Sequence, residues 1–154
     1  MNRSTRQANV FLIHAHSDRD IVHKLYTRLN SDGIHVWLDA EQLQPGQDWQ
    51  HEIRNAILKS DVIVVCLSRG FDKQQGYRHE ELKLAFEKAN FLPDDEVFII
   101  PVRLEECDMP EPLRRLHRVD LFKAGGYKKL VQALREKDSA RTNPRDQEST
   151  IGLD

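Results

Sequence analysis

Asp61-Val62-Ile63-Val64-Val65-Cys66-Leu67-Ser68 is the stretch on which the fold turns. Its apolar run is too short for a buried helix. It also lacks the alternation of a strand with one wet face. A β-branched run covered on both faces belongs in the middle of a parallel sheet packed between helices. Working outward, Asn9-Val10-Phe11-Leu12-Ile13 and Ile34-His35-Val36-Trp37-Leu38 read as two earlier strands. Val97-Phe98-Ile99-Ile100-Pro101-Val102 reads as a fourth, and Val119-Asp120-Leu121-Phe122 as a weak fifth. Pro101 removes a ladder donor, so an edge position or the end of a strand is expected for it.

Helical spacing fills the gaps between these runs. Ile21, Val22, Leu25 and Leu29 share one face, and Ser31-Asp32-Gly33 stops that helix. Asp48 is placed to cap a second helix, in which Trp49, Ile53, Ala56 and Ile57 share a face. Leu82, Ala85, Phe86 and Ala89 mark a third, Pro110 and Pro112 frame a short helical piece, and Leu130, Val131 and Leu134 mark a last helix. Strand and helix alternate throughout, which predicts βαβ units, an α/β fold and a parallel sheet with helices on both faces. The polar residues from about Asp138 onward cannot bury enough apolar surface to offset their ordering entropy. The expected layout is a flexible N-terminus over 1–8, one domain over 9–136, and a disordered tail over 137–154.

Composition narrows the function classes. Of 154 residues, 39% are hydrophobic and 31% charged, and the formal net charge is -2, so no basic excess drives binding to nucleic acid. The apolar runs are too short to span a bilayer and no secretory signal opens the chain, so the cytoplasm is the expected location. Cys66 sits inside an apolar run and Cys107 is distant from it, which argues against a disulfide framework. There is no GxGxxG after the first strand and no P-loop. His14 and His16 have no further ligand at metal spacing, so no metal is expected. A receiver-type phosphorelay domain would need an acidic pair after the first strand and an aspartate after the third. Those places hold His14-Ala15 and Leu67-Ser68. In an open parallel sheet, ligands bind beyond the C-terminal ends of the strands, near the switch in strand order. The polar loops His14 to Asp18, Asp39 to Gln47 and Ser68 to Gly76 leave those ends.

Several segments then match a known family in order. Val10-Phe11-Leu12-Ile13-His14-Ala15-His16-Ser17-Asp18 resembles the first-strand box of Toll/interleukin-1 receptor (TIR) domains. Trp37-Leu38-Asp39 through Leu43-Gln44-Pro45-Gly46 resembles the second strand and the so-called BB loop. Asp48-Trp49 and the helix to Ile57 resemble the bacterial branch. Ser60 to Ser68, Tyr77-Arg78-His79-Glu80-Glu81-Leu82 and Ile100-Pro101-Val102 resemble the third strand, the helix after it and the fourth-strand box. The resemblance implies a flavodoxin-like three-layer sandwich. It also implies one of two functions: cleavage of NAD at the nicotinamide–ribose bond to give nicotinamide and linear or cyclic ADP-ribose in immune or antiviral signalling, or non-catalytic adaptor signalling by TIR–TIR assembly. A binder of another nucleotide is a third reading.

The enzymatic members carry a glutamate in the helix after the third strand, and here Glu80 and Glu81 are adjacent. At about 100° per residue, Glu80 points opposite the Leu82–Ala85–Phe86–Ala89 face, whereas Glu81 lies about 90° from it, at the margin of burial and near Tyr77. The resemblance also selects Glu81 as the catalytic residue. It further implies that His14 and Ala15 line the pocket floor, that Asp39 approaches a ribose hydroxyl, and that Tyr77 stacks on a ring of the substrate. Trp49 and Ser68 are further candidates for binding. NAD is then a substrate and no cofactor is expected. Expected partners are a second copy of the domain, through the BB loop from Gln42 to Gln47, and a separately encoded effector or sensor protein. An excised piece of a larger protein is the other setting. Neither nucleic acid nor a membrane is expected as a partner.

Overall fold

Strands β1 (Asn9–Ile13), β2 (His35–Leu38), β3 (Val62–Leu67), β4 (Ile99–Arg103) and β5 (Val119–Asp120) form one parallel sheet in the order β2-β1-β3-β4-β5. The computed structural model describes residues 7–38, 45–71 and 77–137, with side-chain surroundings for all of these but Leu38, Trp49, Tyr77, Arg78 and His79. The expected N-terminal segment up to residue 6, the BB-loop residues 39–44 and the tail from 138 onward lie outside the described residues.

Helices α1 (Arg19–Ser31) and α4 (126–137) cover one face of the sheet, and α2 (Trp49–Lys59) and α3 (Tyr77–Ala89) cover the other. The strands supply both cores by alternation. Val10, Leu12 and Val64 pack with Val22, Leu25, Leu29 and Leu130 on the first face. Phe11, Ile13, Ile63 and Val65 pack with Ile53, Ile57, Leu82 and Ala85 on the second. This is the flavodoxin-like three-layer sandwich. All six residues of β3 are buried, as a strand with helices on both faces requires. Each fully buried Leu, Ile or Val contributes about 1.5–3 kcal/mol from apolar area alone.

Local chemistry sets the element ends. Helix α1 closes in a Schellman motif: Gly33 N–H donates to Asn30 O at 3.0 Å and Ile34 N–H to Leu29 O at 3.0 Å. Gly33 holds φ at 85°, a value costly for any residue with a Cβ, and Ile34 then joins Leu25 and Leu29 in the core. Asp48 caps α2, its carboxylate accepting from His51 N–H at 3.3 Å. Just ahead of β1, Ala8 is buried and the Gln7 amide donates to the Gly33 carbonyl. At the other end α4 continues through Lys137, whose ammonium pairs with Glu96 at 3.2 Å.

Pro101 corrects one expectation. It sits in the interior of β4, which lies between β3 and β5, and so occupies neither an edge strand nor a strand end. The register explains how it is tolerated. Phe98 O and Leu104 N–H bond β3, while Arg103 O accepts from Leu121 on the β5 side. Backbone groups alternate sides along a strand, so the position of Pro101 faces β5. Strand β5 first pairs with β4 at Val102 and Val119, one residue later. The missing donor therefore faces the one stretch of β4 that has no ladder partner on that side.

Candidate functional site

Strand order reverses at β1. Its crossover through α1 goes to β2 on one side, and the chain then returns through α2 to β3 on the other. A crevice opens above the C-terminal ends of β1 and β3 at such a point. Helices α2 and α3 both start at that pole and pack against each other. Between them runs a groove of about 690 Å³, and its wall includes the cap residue Asp48, His51 and Arg54 from α2, and Glu80, Glu81 and Lys83 from α3.

Glu81 is the distinctive residue of this groove. It is only 3% exposed, whereas Glu80 beside it is open to solvent. Sequence spacing places Glu81 at the margin of burial; the structure buries it further. Leu82 and Ala85 face the sheet, and α2, with Ile53 and Ile57 in the same core, covers the flank of α3 on which Glu81 lies. A buried carboxylate in the wall of a groove is the kind of group whose surroundings suit it to a functional site.

The other sequence candidates fall in three places. His14 and Ala15 continue β1 and are buried, and His14 Nδ1–H donates to Ala15 O at 2.9 Å, which sets its tautomer. His16, two residues on, is exposed and bonded to Arg19, so the two imidazoles do not share a surface. Ser68 directly follows β3, and its hydroxyl donates to Asp18 while accepting from Gly70 N–H at 3.3 Å. Among the described residues, Glu81 lines the groove and His14, Ala15 and Ser68 do not. Asp39 and the side chains of Trp49 and Tyr77 lie outside the described residues, as do Gln42 to Gln44 of the BB loop. Pro45, Gly46 and Gln47 of that loop are exposed in a turn with Gly46 at φ 90°.

Cys66 is not a nucleophile in this setting. Burial first, and then the charge of Asp18, push its thiol well above the usual cysteine range. No group of three or more His, Cys, Asp or Glu among the described residues is arranged to hold a metal ion, and no helix among them is long and apolar enough to cross a membrane. The α2 side of the groove was missed by sequence reasoning. His51 and Arg54 are three apart, and Glu80, Lys83, Leu84 and Glu87 recur at helical spacing beside the core face of α3. Those spacings were visible, but which helix each face meets depends on packing.

Comparison with known proteins agrees with this architecture. The TIR domain of the Toll-related receptor TRR-2 from Hydra magnipapillata superposes with a TM-score of 0.69 at 21% identity, covering 84% of this chain and 99% of that one. An uncharacterised protein of Sinorhizobium fredii, y4cD, is 27% identical over 140 residues, which is 89% of this chain and 22% of that protein. The NAD(+) hydrolase TcpA of Theionarchaea archaeon is 35% identical over 68 residues, 44% of this chain and 21% of that protein. The chain thus spans about a fifth of the length of the curated relatives it matches. A family model described as TIR domain matches residues 10–135, from β1 to the last turns of α4. With that match and the β2-β1-β3-β4-β5 sheet together, the chain belongs to the TIR domain family.

Proposed function

We propose that this domain cleaves NAD in the cytoplasm at the bond between nicotinamide and ribose, giving nicotinamide and ADP-ribose or its cyclised form as a signal in immune or antiviral defence. The observation that carries the reading is the burial of Glu81 in the wall of the α2–α3 groove, next to an exposed glutamate. The partial likeness to an NAD(+) hydrolase supports it.

The chemistry accounts for a carboxylate there. As the bond from ribose C1′ to the pyridinium nitrogen breaks, the electron pair leaves with nicotinamide, which becomes neutral. Positive charge builds on the ribose ring. A fixed carboxylate beside that ring stabilises the oxocarbenium character, as carboxylates do in glycosidases. Water then adds at C1′ and loses a proton, giving ADP-ribose; attack by a nitrogen of the adenine instead gives a cyclic product. NAD is the substrate, and the step needs no metal. In this reading Asp39 approaches a ribose hydroxyl and Tyr77 stacks on the nicotinamide or the adenine. His14 and Ala15, buried at the end of β1 outside the groove lining, would meet the substrate only where it reaches past the groove toward the strand ends, and Trp49 is a further contact for it. Ser68 turns its hydroxyl from Asp18 to a phosphate.

Incubating the chain with NAD and separating the products by chromatography tests the reading. Nicotinamide should appear together with linear or cyclic ADP-ribose. Intact NAD after prolonged incubation with concentrated protein would leave adaptor signalling as the function of this domain.

Activity is also expected to depend on self-assembly, with the BB loop from Gln42 to Gln47 of one copy contacting the site of another. Diluting the protein at saturating NAD should then lower turnover per chain, and the loss should track the dissociation of oligomers in light scattering. Turnover per chain that stays constant across the dissociation range contradicts this.

A further inference from the structure

From Pro112 to Lys129 the sequence carries six lysines and arginines against one acid, Asp120, in a chain whose net charge is -2. The structure gathers part of this charge around a hollow of about 400 Å³ between β5 and the start of α4, lined by His117, Arg118, Asp120, Lys123, Gly126 and Lys129. A glycine is required where α4 begins. A Cβ on Gly126 would lie 2.1 Å from Asp120 O, so only glycine lets the helix start press against β5. That close approach brings Lys123 and Lys129 to the same hollow as Arg118.

The one acid there is already satisfied from behind. Arg103, whose side chain is 6% exposed, grips Asp120 through Nε to Oδ1 at 2.7 Å and Nη2 to Oδ2 at 2.9 Å. On the solvent side Arg118 Nε reaches Oδ1 at 2.9 Å and Lys123 Nζ reaches Oδ2 at 3.4 Å. Three cations thus share one carboxylate. The Lys129 ammonium adds to them without a hydrogen bond or ion pair from its side chain to any described residue, and the His117 imidazole lines the same hollow. Like charges held this close repel one another, and a bound anion relieves that repulsion.

We infer that the hollow between β5 and α4 is a binding site for a phosphate- or diphosphate-bearing ligand, held by Arg118, Lys123 and Lys129. It lies at the far edge of the sheet from β1, and α4 is on the opposite face from α2 and α3, so it is separate from the α2–α3 groove. The inference does not rest on NAD cleavage. Arg118 supplies a planar donor fork and the two lysines supply mobile point charges, a combination suited to phosphate oxygens.

Calorimetric titration of the full chain with inorganic pyrophosphate at low salt tests this. One saturable site per chain is expected, weakening as sodium chloride is raised. The double variant Lys123→Glu, Lys129→Glu should bind at least about tenfold more weakly, since each charge-assisted contact removed is worth roughly that factor. Both lysines are exposed and Asp120 keeps its bonds to Arg103 and Arg118, so the variant should still fold, with only a small fall in melting temperature. Glu81→Gln should bind pyrophosphate like the wild type, which separates this site from the groove. Co-sedimentation with phosphatidic acid vesicles distinguishes the sources of the group. Pelleting identifies a lipid headgroup, and protein left in the supernatant identifies a soluble phosphate compound. Absence of saturable pyrophosphate binding, or equal binding by the double variant, overturns the assignment.

Discussion

Replacing Glu81 with glutamine should lower the rate of nicotinamide release by about 100- to 1000-fold, the loss of about 3–4 kcal/mol of transition-state stabilisation that follows removal of a single electrostatic stabiliser. Glutamine keeps the shape and hydrogen-bonding reach of the side chain and removes only its charge. The fold should therefore survive, and melting curves of the two proteins should nearly coincide. Glu80→Gln is the internal control. That residue is exposed, one position away on the same helix, and its loss should change the rate by no more than about twofold. Equal losses in the two variants would mean that general negative charge at the start of α3 matters rather than a placed carboxylate. A small loss in Glu81→Gln would remove Glu81 from the chemistry.

The second large effect is on stability. Asp120→Ala leaves the Arg103 guanidinium buried and stripped of its bidentate partner, which is expected to cost about 3 kcal/mol. For a domain of this size that lowers the melting temperature by roughly 10 °C. A fall of only a degree or two would mean that Arg103 finds another acceptor; Cys107 O, already 2.9 Å from Nη1, is the candidate. The pair also predicts a pH dependence. Hydrogen bonding from Arg103, assisted by Arg118 and Lys123 and opposed by burial, holds the Asp120 carboxyl well below the usual carboxylate range. The unfolded chain titrates this group near 3.9. A depressed folded value stabilises the native state above the unfolded value, and that stability is lost as pH falls toward the folded one. The stability gap between wild type and Asp120→Asn should therefore be full at neutral pH and shrink below about pH 4.

Much of the fold was legible because its strands are short and the inner ones are buried on both faces. The run from Val62 to Leu67 could hardly be anything but an inner strand, and every one of its side chains is buried. Ser31-Asp32-Gly33 marked a helix stop because only a glycine takes the left-handed turn there easily, and Asp48 marked a helix start by its short acceptor side chain. Pro101 was misplaced for a physical reason. A sequence shows that a donor is missing but not which side of the strand it would have faced, nor that β5 begins pairing one residue later.

The site was legible to a smaller extent. Helical geometry separates Glu81 from Glu80 because both angles are measured against a core face visible in the sequence. The depth of Glu81 depends on α2 lying against α3, and the partners His51 and Arg54 depend on the same packing. The Arg103–Asp120 pair was invisible for a related reason. The two residues are 17 positions apart, and each looks like an ordinary surface charge until β4 and β5 are set side by side.

The most direct measurement is a crystal structure of the chain bound to an NAD analogue whose ribose ring oxygen on the nicotinamide side is replaced by a methylene group. That analogue cannot form the oxocarbenium character and so is not cleaved. The nicotinamide-bearing ring should lie in the α2–α3 groove, with the Glu81 carboxylate within hydrogen-bonding distance of its hydroxyls. An analogue bound elsewhere, with Glu81 still enclosed and out of reach of it, would rule out Glu81 as the catalytic carboxylate.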